Sequence, residues 1–265
     1  MSWSGGSFGE RARCVLAPNA NMMTLDGTNT WVLREPGGTR SVVVDPGPPS
    51  PSHLTAVRDV AGPVGVVLLT HHHLDHSEAA REFAESVGCG VRALDPAHRL
   101  GSEGLGEGDV VAVGDLELHV VATPGHTADS LSFVLPAERA VLTGDTVLGR
   151  GTTVVAHPDG KLAAYLGSLD RLRDLAEARE VEAVWPGHGP VLDDALAVLD
   201  HYIAHRHERL EQVRAAVAQL RSGGVADAAG LPRQVVEIVY ADVDEVLWPA
   251  AELSVRAQLA YLQAR

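Results

Sequence analysis

Aromatic residues are scarce in this chain, at 4% of its 265 residues. Unpaired bases bind proteins largely by stacking on aromatic faces, so a general platform for single strands is poorly supplied. Positive charge is scarce too: 21 Lys and Arg stand against 35 Asp and Glu, a formal net charge of -14. Broad affinity for a polyanion rests on neutralising phosphates, and this balance opposes it unless basic groups gather locally. There are two cysteines, Cys14 and Cys89, and neither sits in a metal motif. One disulfide is formally available, but two reduced thiols in a cytosol are the expected state, with Cys89 a small buried residue after a helix. No apolar run approaches the roughly 20 residues that span a bilayer, so no membrane partner is expected. Residues 1–13 are rich in Gly and Ser and lack the apolar core of an export signal. They read as a flexible tail on a cytoplasmic protein.

The hydrophobic share is ordinary for a globular protein, and the length suits one sizeable core plus a small appendage. Residues 31–33 and 41–44 read as strands joined by the turn Glu35-Pro36-Gly37-Gly38. Further strands are expected at 64–69, 90–93, 110–113, 116–122, 131–135, 140–143 and 183–185. Helical spacing of apolar residues marks 77–87, 161–178 and 192–220, the last as one helix or as a broken one, with a stop at Ser222-Gly223-Gly224. Two more helices are expected at about 232–240 and 246–263. Strands in two series, each followed by helices, fit an α/β fold of two sheets sandwiched between helices.

The strand at 64–69 runs into Thr70-His71-His72-His73-Leu74-Asp75-His76. Three imidazoles and a carboxylate are a poor way to stop a strand and a good way to hold a divalent metal. His71 and His73, two apart on extended chain, can face one cavity, while His72 should point away. Further donors close other apolar runs: His126 in Thr-Pro-Gly-His-Thr, Asp145 in Leu-Thr-Gly-Asp-Thr, and His188 in Trp-Pro-Gly-His-Gly. Each alone would pass for a turn residue. Together, in mid-chain and each at a strand end, they point to a metal site.

This set resembles the metallo-beta-lactamase superfamily of hydrolases. The segments 26–30 (Asp-Gly-Thr-Asn-Thr), 149–153 (Gly-Arg-Gly-Thr-Thr) and 205–209 (His-Arg-His-Glu-Arg) are similar to its beta-lactamase-like endoribonuclease branch. The resemblance runs from about Cys14 to about Leu262. It implies a four-layer αββα sandwich over residues 14–200 and a small helical, winged-helix-like domain over residues 201–265. It also implies two divalent metal ions per chain, zinc foremost, with iron or manganese as alternatives. His71, His73 and His126 would hold one ion. Asp75, His76 and His188 would hold the other, and Asp145 would bridge them. Two such ions can trap a bridging hydroxide that attacks a carbonyl or phosphorus. Asp75 and Asp145 are thereby the catalytic carboxylates, Asp75 with a minor share in proton relay.

Other candidates rest on weaker patterns. Asp45 ends a strand expected beside the metal-loop strand and could orient a histidine, or be a plain Asp-Pro-Gly turn. Asn29 belongs to the 26–30 segment. Thr127 fits a turn better than a contact to Asp145. His205 and Arg209, with Arg206 beside them, have helical spacing. They could bring cations to an anionic substrate, though a salt-bridged face joining the helical unit to the core is the favoured reading. His53, His98, His119, His157, His201 and His207 carry no motif and are expected to be structural or exposed. The function expected is metal-dependent hydrolysis of a small acyl substrate such as a thioester, lactone or amide. Single-strand-specific RNA cleavage is the alternative. An iron oxygenase, a beta-lactamase and a non-catalytic binding protein are lesser readings. The unit beyond His201 is expected to pack near the metal mouth, and its removal to leave metal binding intact.

Overall fold

The computed structural model describes residues 2–223 and 230–264. The first sheet contains β1 (Gly6–Phe8), β2 (Ala12–Leu16), β3 (Asn29–Leu33), β4 (Ser41–Val44), β5 (Val64–Leu68) and β6 (Gly90–Arg92), in that spatial order. The second has the order β11-β10-β9-β8-β7, from β7 (Val110–Val113), β8 (Leu116–Ala122), β9 (Leu131–Leu135), β10 (Ala140–Gly144) and β11 (Ala183–Pro186). Parallel pairing of β4 with β5 and of β10 with β11 requires crossovers. These are α1 (Pro51–Ala61) and α4 (Leu162–Glu177). The short α2 (Leu74–Ser77) and α3 (Ala80–Val87) lead from β5 to β6.

Side-chain alternation sorts the layers. On β3 and β4, Trp31, Leu33, Val42 and Val44 point between the sheets, while Val32 and Val43 face α1 and α3. On the second sheet, Phe133, Leu142 and Trp185 point inward, and Val134, Val141 and Val184 pack under α4 and α5 (Ala195–Ser222). Each such buried apolar side chain contributes roughly 1.5–3 kcal/mol relative to exposure. Trp31 and Trp185 stack across the sandwich with centroids 5.1 Å apart. The expected four-layer αββα arrangement is the one observed.

Three features depart from expectation. Residues 6–8 and 12–16 are strands at the sheet edge, not tail; Phe8 packs edge-on to Trp31 at 5.5 Å, and Cys14 and Ala12 are buried. Alternation over so short a run, broken by Gly9, left no readable period. Helix α1 was not expected, because Pro51-Ser52 reads as turn chemistry; Pro is nonetheless well suited to a first helical position. The boundary drawn at 200/201 falls inside α5, an unbroken helix. Its C-terminal half packs with α6 (Leu231–Val239) and α7 (Trp248–Gln263) in a separate small core around Val213, Val235, Val236 and Val255. The break expected at Ser222-Gly223-Gly224 matches the end of α5 at Ser222, and Gly224 lies outside the described residues. Both cysteines are free. Among the described residues, no helix is long and apolar enough to cross a membrane.

Candidate metal centre

Four chain segments converge at the edge where both sheets end. β5 runs out through Leu69 and Thr70 into His71–His73, and Asp75 and His76 open the next helix. His126 follows β8, Asp145 follows β10 directly, and His188 follows β11. Two glycines make the approach feasible. At Gly125 a Cβ would lie 2.3 Å from the Cα of Tyr165, so only glycine lets this turn pack on α4. At Gly187 a Cβ would sit 2.6 Å from Asp145 Oδ1 and 2.8 Å from His76 Cε1.

Three donor groups that could hold a metal ion result: His71, His73 and His126; His71, His76 and Asp145; Asp75, His76 and His188. His73 Nδ1 lies 3.1 Å from His71 Nε2 and 3.0 Å from His126 Nε2. His188 Nε2 is 3.2 Å from His76 Nε2, 3.1 Å from Asp75 Oδ2 and 3.4 Å from Asp145 Oδ2. Asp145 reaches both halves, with Oδ1 3.4 Å from His76 Nε2 and Oδ2 3.8 Å from His126 Nε2. Its Oδ1 is buried without a hydrogen-bond partner. A buried carboxylate oxygen lacking a donor, amid converging imidazole nitrogens, is the environment a divalent ion satisfies. The residues present therefore fit the metal that the fold implies.

The outward imidazole nitrogens are tied down. His126 Nδ1 bonds to the Val154 carbonyl at 2.6 Å and His188 Nδ1 to the Gly27 carbonyl at 3.1 Å. In the neutral imidazole these partners select the tautomer whose Nε2 lone pair faces the cluster. Asp45 serves two histidines. Its Oδ2 lies 2.8 Å from His76 Nδ1 and accepts from Thr70 Oγ1 at 2.6 Å, and that hydroxyl is 3.0 Å from His71 Nδ1. Its Oδ1 accepts from the Thr70 backbone N–H at 2.8 Å. Asp45 sits at φ 51, a left-handed conformation that a packed functional position holds against its cost.

Electrostatics divide the cluster. Burial pushes His71 well below the ordinary histidine range, aided by neighbouring His76 and His126. Burial and His126 bring His73 down to about 4. Both are neutral, with lone pairs available. Burial opposes charge on His76 and His188 as well, but Asp145 overcomes it, with Asp45 also acting on His76 and Asp75 on His188. His76 is raised well above its usual value and His188 to about 9. Burial acts to raise Asp145, yet His188 and His76 hold it well below the usual carboxylate range.

The other sequence candidates are placed as follows. Asn29 is buried outside the cluster and clamps the His188 loop, donating to the carbonyls of Pro186 at 2.9 Å and Gly189 at 2.8 Å. Thr127 forms a turn with Asp129 and Ser130. His72 turns away to Asp129, 2.8 Å distant. Arg206 and Arg209 brace the helical unit, with no salt bridge among the described residues, while His205 lines the cavity over the cluster. Arg206 is buried, donates to the Thr153 carbonyl at 2.5 Å and lies 4.8 Å over Tyr165. Arg209 donates to the Val239 carbonyl at 2.6 Å and lies 4.4 Å over Tyr240. Backbone carbonyls leave no mark in a sequence, so these partners, like those of His126 and His188, were not legible there. Thr70 and Ser254 were also missed. Ser254 Oγ, on α7, accepts from the Val155 N–H at 3.3 Å, next to the carbonyl that holds His126.

A cavity of about 440 Å³ opens over the cluster. His126 and Asp145 lie at its floor, and its walls are largely apolar: Met22, Met23, Leu25, Leu148, Val243 and Leu247. Arg150, His205, Arg206 and Arg209 add polar groups. The 26–30 and 149–153 segments meet beside it, where Arg150 pairs with Asp26.

A two-sheet sandwich carrying a histidine-carboxylate cluster at one edge defines a class of metal-binding hydrolase folds. The chain belongs to the metallo-beta-lactamase superfamily, whose sequence profile matches residues 23–188. Residues 232–265 match the beta-lactamase associated winged helix domain. A beta-lactamase-like protein 2 homolog from Caenorhabditis elegans is 33% identical over 75% of this chain and 68% of its own. An atrochrysone carboxyl ACP thioesterase from Aspergillus fumigatus is 31% identical over 85% of this chain and 72% of its own. A beta-lactamase domain protein from Burkholderia ambifaria has the same fold, with a TM-score of 0.78 at 22% identity, covering 100% of this chain and 89% of that one.

Proposed function

We propose that this protein is a dinuclear metal-dependent hydrolase of small acyl compounds, thioesters foremost. The observation that carries the reading is the cavity: at about 440 Å³ with largely apolar walls, it suits an acyl chain entering carbonyl-first toward His126 and Asp145. The relative named as an acyl carrier protein thioesterase supports the same class. His71, His73 and His126 would hold one ion, Asp75, His76 and His188 the other, and Asp145 would serve both. When bound, such ions supply an activated water and polarise the carbonyl oxygen.

The chain's own groups do the rest. Asp45 and the carbonyls of Gly27 and Val154 keep the imidazoles oriented, so the donor set needs little rearrangement. Met22, Met23 and Leu247 offer apolar surface for the acyl chain to cover. Asp75, with its side chain 30% exposed, is the carboxylate placed to exchange protons with solvent. In the net reaction water oxygen bonds to the carbonyl carbon, and the carbon–sulfur bond breaks with its electron pair on sulfur. The products are a carboxylate, a thiol and one released proton.

A panel of acyl-thioesters and lactones, assayed with metal-loaded and chelator-stripped protein, tests this. Metal-dependent turnover of thioesters supports the reading. RNA cleavage is the second reading, favoured by the arginines at the cavity. Cleavage of unstructured RNA that disappears in Asp145→Ala, with no thioester turned over, would replace the first reading. A content near one iron per chain would favour an oxygenase.

A further inference from the structure

Three arginines line one cavity of a chain whose net charge is -14. Arg150 has a carboxylate partner in Asp26. Arg206 and Arg209 have none among the described residues. This departs from the pattern of the surrounding helices, where Arg173 pairs with Glu177, Arg214 with Glu211, Arg233 with Glu237 and Arg256 with Glu252. Glu208, beside Arg209, is exposed and hydrogen-bonds Gln212 instead.

Arg206 is committed to the fold through Thr153 and Tyr165. Arg209 is differently placed. One nitrogen is fixed by the Val239 carbonyl and the guanidinium lies over the Tyr240 ring. Its Nε and Nη2 make no hydrogen bond among the described residues. A guanidinium held by one carbonyl and one ring face is pre-organised, and its remaining donors form the fork that carboxylate and phosphate accept. His205, one turn earlier, lines the same cavity and has no hydrogen-bond partner among the described residues. Met22, Leu247 and Val243 line the same cavity and make its remaining wall apolar. Burial and the neighbouring arginines lower the pKa of His205, so it serves as a neutral imidazole, whereas a partly buried guanidinium without counter-charge costs stability and asks for an anion.

We propose that Arg209 and His205 form an anion subsite on the α5 wall of this cavity. The substrate is then a bifunctional small molecule, with a hydrolysable carbonyl at the His126–Asp145 floor and a carboxylate or phosphate at Arg209. Only the identity of the first group rests on the hydrolase reading. The anion has two sources: a second carboxylate on the acyl part, or a phosphate on the thiol part, as in a phosphopantetheine. An apolar-walled cavity of this size admits either and excludes a folded polymer.

The test is equilibrium binding, which needs no turnover. Metal-loaded protein is titrated calorimetrically with glutarate against pentanoate, and with 4'-phosphopantetheine against pantetheine. Within one pair the ligand carrying the additional anionic group should bind about ten- to a hundredfold tighter, as expected for charge-assisted hydrogen bonds. Arg209→Gln should abolish that preference and Arg209→Lys should restore part of it, since the ammonium keeps charge but loses the fork. Whichever pair shows the preference identifies the anion's source. Equal affinities within both pairs for the unaltered protein would overturn the subsite even if Arg209→Gln fails to fold. So would a preference that survives Arg209→Gln, or binding of oligouridylate alone. Thioesters of the same acids are assayed separately. Absent turnover with an intact binding preference refutes the hydrolase reading and leaves the subsite standing.

Discussion

Asp45 carries more of the site than any residue outside the donor set, because one carboxylate steadies His76 directly and His71 through Thr70. Asp45→Asn places an amide N–H where an acceptor is needed, and metal affinity should fall roughly 10–100-fold. Competition with a chromogenic chelator measures this, and unchanged affinity would show that Asp45 is only a turn residue. Asp145→Ala should do more. It removes the carboxylate that approaches both His76 and His126, so metal content should fall at both loci and turnover should vanish. Elemental analysis beside an activity assay checks it, and retention of both would refute the bridging role. Gly187→Ala should also lower metal content, because the new Cβ has 2.6 Å to Asp145 Oδ1 where contact needs about 3.4 Å or more. An unaltered metal content would mean the His188 loop can retreat.

At the scale of elements, the stretch 153–155 is where the helical unit meets the cluster. α5 holds it through Arg206 on the Thr153 carbonyl and α7 through Ser254 on the Val155 N–H, while the Val154 carbonyl between them takes His126. Ser254→Ala should therefore cost about 0.5–1.5 kcal/mol of stability. It should also loosen metal binding, though Ser254 touches no donor group. Thermal denaturation with and without metal separates the two. A loss of stability that is the same in both states would limit Ser254 to packing. The resemblance segments acquire a common meaning at this scale, since 149–153 and 205–209 both contribute to one cavity wall and 26–30 reaches it through Asp26 on Arg150.

For the whole molecule, the helical unit is not an accessory that can be cut away. A truncation before His201 severs α5 near its start. It removes Tyr202, whose hydroxyl accepts from the Leu148 N–H at 2.9 Å, and Arg206, which braces Thr153. It also uncovers the apolar layer of Val141, Val184, Leu169 and Leu172 beneath α5. Such a chain should be insoluble or metal-poor, contrary to the expectation that every donor before His201 suffices. A soluble truncated protein with full metal content would restore that expectation.

The sequence alone marked the candidate donors at strand ends and determined the layers. Imidazoles and carboxylates at strand ends have few structural uses, and a strand's two-residue period already assigns Trp31, Leu33, Val42 and Val44 to one face and Val32 and Val43 to the other. The extents of α4, α6 and α7 followed from apolar spacing at the helical period, while α1 did not. Tertiary structure decided which loops meet, and hence the partners with no chemical signature in a sequence: the carbonyls of Gly27, Val154 and Thr153. It also decided that Asp45 faces His76 instead of solvent, that residues 6–8 close a sheet edge, and that Arg206 and Arg209 lie against rings and carbonyls with no carboxylate partner among the described residues. Those outcomes depend on contacts between segments distant in sequence, and local propensity carries no information about them.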